Sequence, residues 1–483
     1  MKTVKSLSKI LLLAITAIAC QKQIAPPQAI VPVPNDCQLA WQDLEIYAFI
    51  HFTTNTFTDK EWGYGDEDPF IFNPVEINVE QWVATIKEAG LKAIILTAKH
   101  HDGFCLWPSK FTEHDISKSP YKEGEGDLVK EVSEACRKQG LLFGIYLSPW
   151  DRNFAGYGKP EYIDYYRNQL KELITAYGPF FEIWFDGANG GDGYYGGARE
   201  MRKIDGKIYY DWENTIKMVR ELNPEAILFS DAGPDIRWCG NERGIAGETN
   251  WNTINKDTLY AGKPNIEKLL NEGAEDGNSW VPAEVDVSIR PGWFYHAKQD
   301  SMVRSAENLF KIYLESVGRG ANLLLNLPPD KRGLIHENDV KVLKEWRALI
   351  DKTFSNNHAA GMKATADTYR GKSKLYAASN VTDGNKETFW TTDDDVKKGS
   401  IIIEFQTLQM VKYIVIQEYI KLGQRVKAFD VEVWKDDAWE KIVAGTTIGH
   451  KRILPLKALE TSKIRLNITD SKACPIISNI EIY

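Results

Sequence analysis

The chain has 483 residues, more than one ordinary domain, and its 15 Trp, 21 Tyr and 19 Phe supply flat side chains that stack on sugar rings or fill a core. A formal net charge of -8 gives no basis for a nucleic-acid footprint, which needs a basic patch. Neither a phosphate-binding loop nor a zinc-type cysteine pair is present.

At the N-terminus, Lys2, Lys5 and Lys9 precede the apolar run Ile10 to Ile15, and Ala17-Ile18-Ala19-Cys20 places small residues before a cysteine. That order reads as a bacterial lipoprotein signal over residues 1–19, with Cys20 lipidated after cleavage. Ala17 stands where such a box usually carries leucine, so a plain signal peptide remains an alternative. The apolar run falls short of the about 20 residues that span a bilayer. The membrane is therefore met only through a lipid anchor, and the expected location is the periplasm or the outer-membrane surface. Residues 20–36, with Pro26, Pro27, Pro32 and Pro34, read as a semi-rigid tether. Cys37, Cys105, Cys136, Cys239 and Cys474 are odd in number and widely spaced, which suits buried small residues better than a disulfide framework.

From residue 37 to 352, short apolar runs alternate with amphipathic segments. Ile46 to Phe52, Ala93 to Ala98, Leu142 to Leu147, Phe181 to Asp186, Ala226 to Asp231 and Asn322 to Leu327 are predicted strands. Helical spacing marks Val79 to Ala89, Leu128 to Lys138, Glu161 to Tyr177 and Trp212 to Leu222. This alternation predicts a (β/α)8-like barrel. Gly240 to Gly292 reads as loop, which leaves strands six and seven unplaced. Residues 353–483 contain the β-type runs Ile401 to Phe405, Val411 to Gln417, Phe429 to Trp434 and Ile464 to Ile468 without a long helical pattern, and predict an antiparallel β-sandwich.

Phe180 to Gly187 is the segment with the clearest chemistry: an apolar run ends in Asp186 and then glycine, and barrel strands deliver their C-terminal ends to the substrate face. The run Ala93 to Leu96 likewise feeds Lys99-His100-His101-Asp102-Gly103. A lone carboxylate at a strand end is more often a cap or an ion-pair member. Glu182, Trp184 and Asp186 share one strand face, and Glu182, lying deeper, reads as a structural partner. His100 and His101 would leave an ideal strand on opposite sides, so both reach one ligand only if the strand ends there. His-His-Asp also contains metal-ligand types, although no second His motif exists to converge on an ion.

These segments together resemble the α-L-fucosidase family of retaining glycoside hydrolases, whose nucleophile lies in a Trp-Phe-Asp-Gly segment and whose sugar pocket uses a His-His pair. The resemblance implies Asp186 as nucleophile. It implies Glu242, in Gly233 to Gly244, as acid/base, with Glu248 and Glu284 as rivals; because a general acid must keep its proton, the neighbouring Arg243 side chain is expected to point outward. It also implies a pocket lined by His51, Glu61, Trp62, His100, His101, Tyr146, Trp184, Arg237 and Trp293. Any one Trp, or His51 alone, could equally be core. Asn322 to Pro329 resembles the last barrel strand, whose Asn side chains organise the mouth rather than touch substrate. Arg237-Trp238 and Arg290 to Trp293 resemble the branch that prefers α-1,3 and α-1,4 linkages.

Asn380 to Asn385, with Thr388 and Trp390, resembles the discoidin-type, galactose-binding-like module, in which an Asp-Gly-Asn turn often helps hold a structural calcium; an ordinary Asp-Gly turn explains the same residues. No cofactor is implied. The expected protein is a lipid-anchored exo-α-L-fucosidase of fucosylated oligosaccharides or glycoconjugates, with a C-terminal module that folds separately. The alternatives are another exo-glycosidase on the same barrel or a catalytically silent glycan-binding lipoprotein.

Overall fold

The computed structural model describes residues 24–483. The expected signal segment and Cys20 lie outside them. Eight strands, β1 (Ile46–Ile50), β2 (Ala93–Lys99), β3 (Leu142–Leu147), β4 (Glu182–Trp184), β5 (Ile227–Ser230), β6 (Ile236–Trp238), β7 (Ala283–Ser288) and β8 (Asn322–Asn326), close a barrel. All eight pairings are parallel. Helices α1 (Val79–Glu88), α2 (Leu128–Gln139), α3 (Glu161–Tyr177), α4 (Trp212–Leu222), α5 (Glu267–Glu272), α6 (Ala306–Glu315) and α7 (Glu337–Thr353) follow in turn. Local chemistry sets their ends. The Asp127 carboxylate accepts the Lys130 N–H at the start of α2, and Gly140 closes that helix in the left-handed region.

The strands predicted as six and seven are now placed. β6 follows β5 after five residues with no helix between them, and the two share only the pairs Phe229↔Ile236 and Ser230↔Arg237. Parallel neighbours ordinarily need a crossover of a dozen residues or more; here the Asp235 carboxylate turns back to accept the Leu228 N–H at 2.7 Å and so closes the short connection. β7 lies inside the stretch that reads as loop. Its polar residues Glu284, Asp286 and Ser288 alternate with Ala283, Val285 and Val287. The valines pack under the helices, whereas the polar set enters the barrel, inverting the usual pattern.

The apolar material divides accordingly. Ile94, Leu96, Val285, Val287, Leu323 and Leu325 pack outward beneath the helices, while Tyr47, Phe49, Ile95, Tyr146, Trp184, Phe229 and Leu324 fill the interior. Of the five described cysteines none forms a disulfide; Cys37 is partly exposed and the other four are buried.

Seven strands build the C-terminal sandwich: β9 (Lys363–Ala366), β10 (Trp390–Thr391), β11 (Gly399–Glu418), β12 (Val426–Lys435), β13 (Ala438–Gly445), β14 (Arg452–Ser471) and β15 (Ile476–Ile482). The order is β10-β15-β11-β14-β12-β13, with β9 on β11, all antiparallel. Two runs that read as separate strands belong to the single long β11, whose register against β14 shifts between Glu404 and Gln409. Asp383 accepts from the Asn385 N–H and the Thr388 hydroxyl. This turn closes on its own hydrogen bonds.

Two expectations about the ends of the chain meet a different geometry. Residues 24–30 of the Pro-rich segment lie along the sandwich rather than standing off as a spacer: Tyr376 and Arg370 donate to the carbonyls of Ile24 and Ala25, Arg425 to that of Gln28, and the Ile30 N–H reaches Leu422. The sandwich itself is joined to the barrel through buried contacts. Val415 and Ile453 belong to the barrel's outer core, and Lys451 pairs with Glu45. Gln424 holds the backbone of Asn250 and Asn252, Thr447 accepts the Asn250 N–H, and Arg452 donates to the Glu248 carbonyl. The sandwich has a core of its own, and these contacts fasten it to the barrel.

Candidate active site

The C-terminal ends of the barrel strands open into a cavity of about 190 Å³ lined by Phe49, His51, Trp62, His100, His101, Tyr146, Trp184, Asp186, Gly187, Ala188, Asp231, Trp238, Glu242, Asp286 and Trp293. Its deep end is aromatic, Trp184 stacking on Phe229 with centroids 4.0 Å apart, and half-exposed Trp62 stands at the rim.

The imidazoles come from β1 and the end of β2. β2 stops at Lys99 after a register shift, so His100 and His101 escape strand alternation and both face the cavity. Ser148 donates to the Trp150 carbonyl at 2.6 Å, so it accepts from His101 Nδ1 at 2.7 Å, and His101 Nε2 carries a lone pair 3.8 Å from Asp186 Oδ2. His51 Nδ1 lies 2.8 Å from Asn326 Oδ1, and the Asn326 amide donates to Ser288 Oγ and the Trp293 carbonyl. Asn326 thus organises the mouth from behind. Burial pushes His51 and His101 down to about 3 and His100 well below its ordinary value. All three are neutral and offer hydrogen bonds rather than charge.

The other wall is acidic. Asp186 Oδ2 accepts the Tyr146 hydroxyl at 2.9 Å and Oδ1 the Ala188 N–H at 2.7 Å. Burial raises its pKa, and those two bonds hold it partly down. Asp231 directly follows β5 and packs on Gly187, where an added Cβ would sit 2.0 Å from the Asp231 carboxylate. Burial pushes Asp231 up to about 6. Glu242, on the loop after β6, receives the Trp293 indole N–H at 3.3 Å. Its side chain reaches solvent at the rim, yet the surrounding protein and the charge of Asp186 raise its pKa, with the indole bond opposing. Asp286 accepts the Trp238 indole at 2.8 Å and is held well above the ordinary carboxylate range by burial and by Glu242. Four carboxyl groups thus share a cavity with no Lys or Arg in its lining.

Not every residue expected here arrives. Arg237 is fully buried and spends its guanidinium on the Leu270, Val281 and Trp251 carbonyls and the Asn250 side chain. It braces the loop after β6, while its neighbour Trp238 lines the cavity. Glu61 stands behind the wall, accepting from Trp293 N and Phe294 N and lying 2.6 Å from His296 Nε2. Of the rival acids, Glu248 is an exposed surface residue beside Arg319, and Glu284 is sealed in the barrel interior. Arg243 is exposed and lines no part of the cavity. Asp102 accepts from Thr53 and Thr54 instead of joining the imidazoles. Among the described residues, the His and acid side chains close enough to hold an ion are Asp330, His336 and Glu337, where Arg332 already pairs with both carboxylates.

Sequence reasoning missed Phe49, Gly187, Ala188, Asp231, Trp238 and Asp286. Asp231 carried a signal: it ends a predicted strand in a carboxylate, just as Asp186 does. Asp286 was hidden in the strand that read as loop.

Residues 33–352 match the α-L-fucosidase family profile, and residues 363–482 match that of the F5/8 type C domain. The chain is 40% identical to alpha-L-fucosidase 1 of Arabidopsis thaliana over 462 residues, covering 95% of this chain and 88% of the relative. A putative alpha-L-fucosidase from Bacteroides thetaiotaomicron superposes with a TM-score of 0.87 at 39% identity, covering 95% of this chain and 99% of the other. A Ruminococcus gnavus family 29 fucosidase, solved with fucose, gives 0.85 at 34% identity over 95% and 96%. With a closed parallel barrel, an acid-walled pocket at its mouth and these matches, the chain belongs to the α-L-fucosidase family, glycoside hydrolase family 29, and is a retaining glycosidase.

Proposed function

We propose that this protein releases terminal L-fucose by a two-step displacement in which Asp186 attacks the anomeric carbon and Glu242 protonates the leaving oxygen, then deprotonates water. The observation that carries the assignment is the difference in setting between the two groups. Asp186 lies in the barrel mouth with two donors aimed at its oxygens, an arrangement that favours the ionised nucleophile. Glu242 receives one long indole bond and faces the charge of Asp186, which favours the protonated acid. The neutral imidazoles and Tyr146 supply donors and acceptors for the sugar hydroxyls, and the indoles supply an apolar wall for its methyl group. A cavity closed at its deep end suits a terminal sugar, hence exo action.

The preferred bonds are α-1,3 and α-1,4 fucose on branched acceptors. Trp293 donates to Glu242 and Trp238 lines the same cavity, and the second sugar branch would bear on these indoles and help position the bond for attack. A panel of linkage-defined fucosylated oligosaccharides tests this: Lewis-type fucose should be released well, and faster release of α-1,2 fucose at equal concentration would overturn it. Export as a Cys20 lipoprotein belongs to the same reading, supported by the sequence before Cys20. Cys20→Ala should move the protein from the membrane fraction to the soluble periplasmic fraction, and unchanged membrane retention would refute the anchor.

A further inference from the structure

Glu182 and Glu284 are two acids that the reaction above does not use. Both are fully buried in the barrel interior, on β4 and β7. Trp41 Nε1 lies 3.0 Å from both Glu182 Oε2 and the Tyr47 hydroxyl, the hydroxyl reaches Glu284 Oε2, and Trp184 Nε1 lies 2.7 Å from Glu284 Oε1, so the two carboxyl groups share one buried cluster of neutral partners. Two anions in one cluster, with no water-exposed face and no basic side chain paired to either among the described residues, are energetically prohibitive, so the pair holds a proton.

The donors decide where that proton sits. Glu284 Oε1 accepts the Trp184 indole N–H at 2.7 Å, and Oε2 accepts the Tyr47 hydroxyl, which is itself committed as donor because it receives the Trp41 indole at 3.0 Å. Glu182 Oε2 also receives the Trp41 N–H at 3.0 Å, but Glu182 Oε1 is buried with no donor aimed at it. An indole can only donate. Glu284 is therefore the better-supplied acceptor, with capacity for one more donor, and the orphaned oxygen of Glu182 is where a proton completes the network.

We propose that Glu182 stays protonated and donates to Glu284, and that this carboxyl pair fixes Trp184 as the floor of the sugar pocket. Burial raises the proton affinity of both acids, and the charge of Glu284 raises that of Glu182 further. The consequence reaches the reacting atoms at second hand. Trp184 packs at 5.3 Å against Tyr146, whose hydroxyl holds Asp186. Glu182 and Glu284 are thus positioning residues, and the inference rests on the pocket being the fucose site.

The test compares Glu182→Gln, Glu182→Leu, Glu284→Gln and Trp184→Phe, each checked by circular dichroism, on an aryl α-L-fucoside. A glutamine at 182 can still donate to Glu284 and accept from Trp41, so kcat and KM should stay within about three-fold of the parent. Glu182→Leu leaves Glu284 short of its donor, and Glu284→Gln offers one acceptor oxygen to donors that need two. Each should raise KM by about ten-fold or more, the scale of one buried hydrogen bond to a charged group. Infrared difference spectra supply a readout independent of folding margins: one protonated-carboxyl C=O component should be lost in Glu182→Gln, beside those that Glu242 and Asp286 keep, and should persist in Glu284→Gln. Loss of activity in Glu182→Gln equal to that in Glu182→Leu, or an unchanged carboxyl band in Glu182→Gln, would overturn the proposal. If Trp184→Phe left KM unchanged, the pocket reading itself would have failed.

Discussion

The two walls of the pocket solve the same burial problem in different ways. On the β1–β3 side, desolvation strips the protons from His51, His100 and His101, and Asn326 and Ser148 fix the rings of His51 and His101 from behind. That wall carries no charge and recognises by geometry. On the β4–β7 side, Asp186, Asp231, Glu242 and Asp286 crowd together without a cation in the lining. Their proton affinities rise, and each one's depends on its neighbours. The lesson is that recognition and proton chemistry are divided by strand, so a change on the acid wall should move pH dependence and leaving-group dependence in ways that a change on the imidazole wall does not.

The strongest way to break this division is Asp186→Ala. Turnover should fall by on the order of 10⁴-fold or more while the fold persists, and azide should restore part of it by taking the place of the missing nucleophile. Activity near the parent's in Asp186→Asn would show that the wall works without covalent chemistry.

A chain ending at Lys352 attacks the acid wall from outside. Asn250, Asn252 and the Glu248 carbonyl, a few residues beyond Glu242, are held by Gln424, Thr447 and Arg452 of the sandwich, and removal of the sandwich also uncovers Phe310 and Tyr313. The truncated protein should be aggregated or unfolded at temperatures where the full chain is active, as seen by circular dichroism and aryl-fucoside turnover. A folded, fully active barrel would restore the sequence-based expectation of an independent module.

Glu242→Gln should separate substrates rather than silence the enzyme. Poor leaving groups should lose roughly 10² to 10⁴-fold, the range of general-acid assistance, and activated aryl fucosides far less, since they need little protonation. Equal losses on both would move the acid role to another carboxyl, and Asp231 and Asp286 are the groups the structure places within reach.

The imidazole wall was largely legible in the sequence, and half of the acid wall was not. His100, His101, Tyr146 and Trp184 sit at the ends of strands whose apolar runs announce them. Asp286 sits on a strand that buries valines under helices and carboxyls in the barrel, so its alternation reads as noise. Arg237 and Glu61 went the other way. Their motifs were visible, yet a guanidinium saturated by buried carbonyls and a carboxylate facing backbone N–H groups are decided by loop geometry over long sequence separations, which no local pattern carries. The short β5–β6 connection was missed for a related reason: a parallel pair without a crossover helix violates the usual spacing, and the Asp235 side chain that permits it is seen only once folded.

The finest test of the comparison is Tyr146→Phe, because it removes one hydroxyl at the seam between the walls. That hydroxyl donates to Asp186 Oδ2 and holds its pKa down against burial. The nucleophile works only when ionised, so activity is lost as pH falls through its pKa. Deleting the donor lets that pKa rise, and the acid limb of the kcat/KM profile, which reports the free enzyme, should move to higher pH. The alkaline limb, set by the proton on Glu242, should stay in place because the Trp293 bond and the Glu242 loop are untouched. Activity near neutral pH should fall about ten-fold, the size of one charge-assisted hydrogen bond. A uniform loss with both limbs fixed would mean that Tyr146 serves only as part of the pocket surface, and that the charge on Asp186 is governed by its Ala188 N–H bond and burial alone.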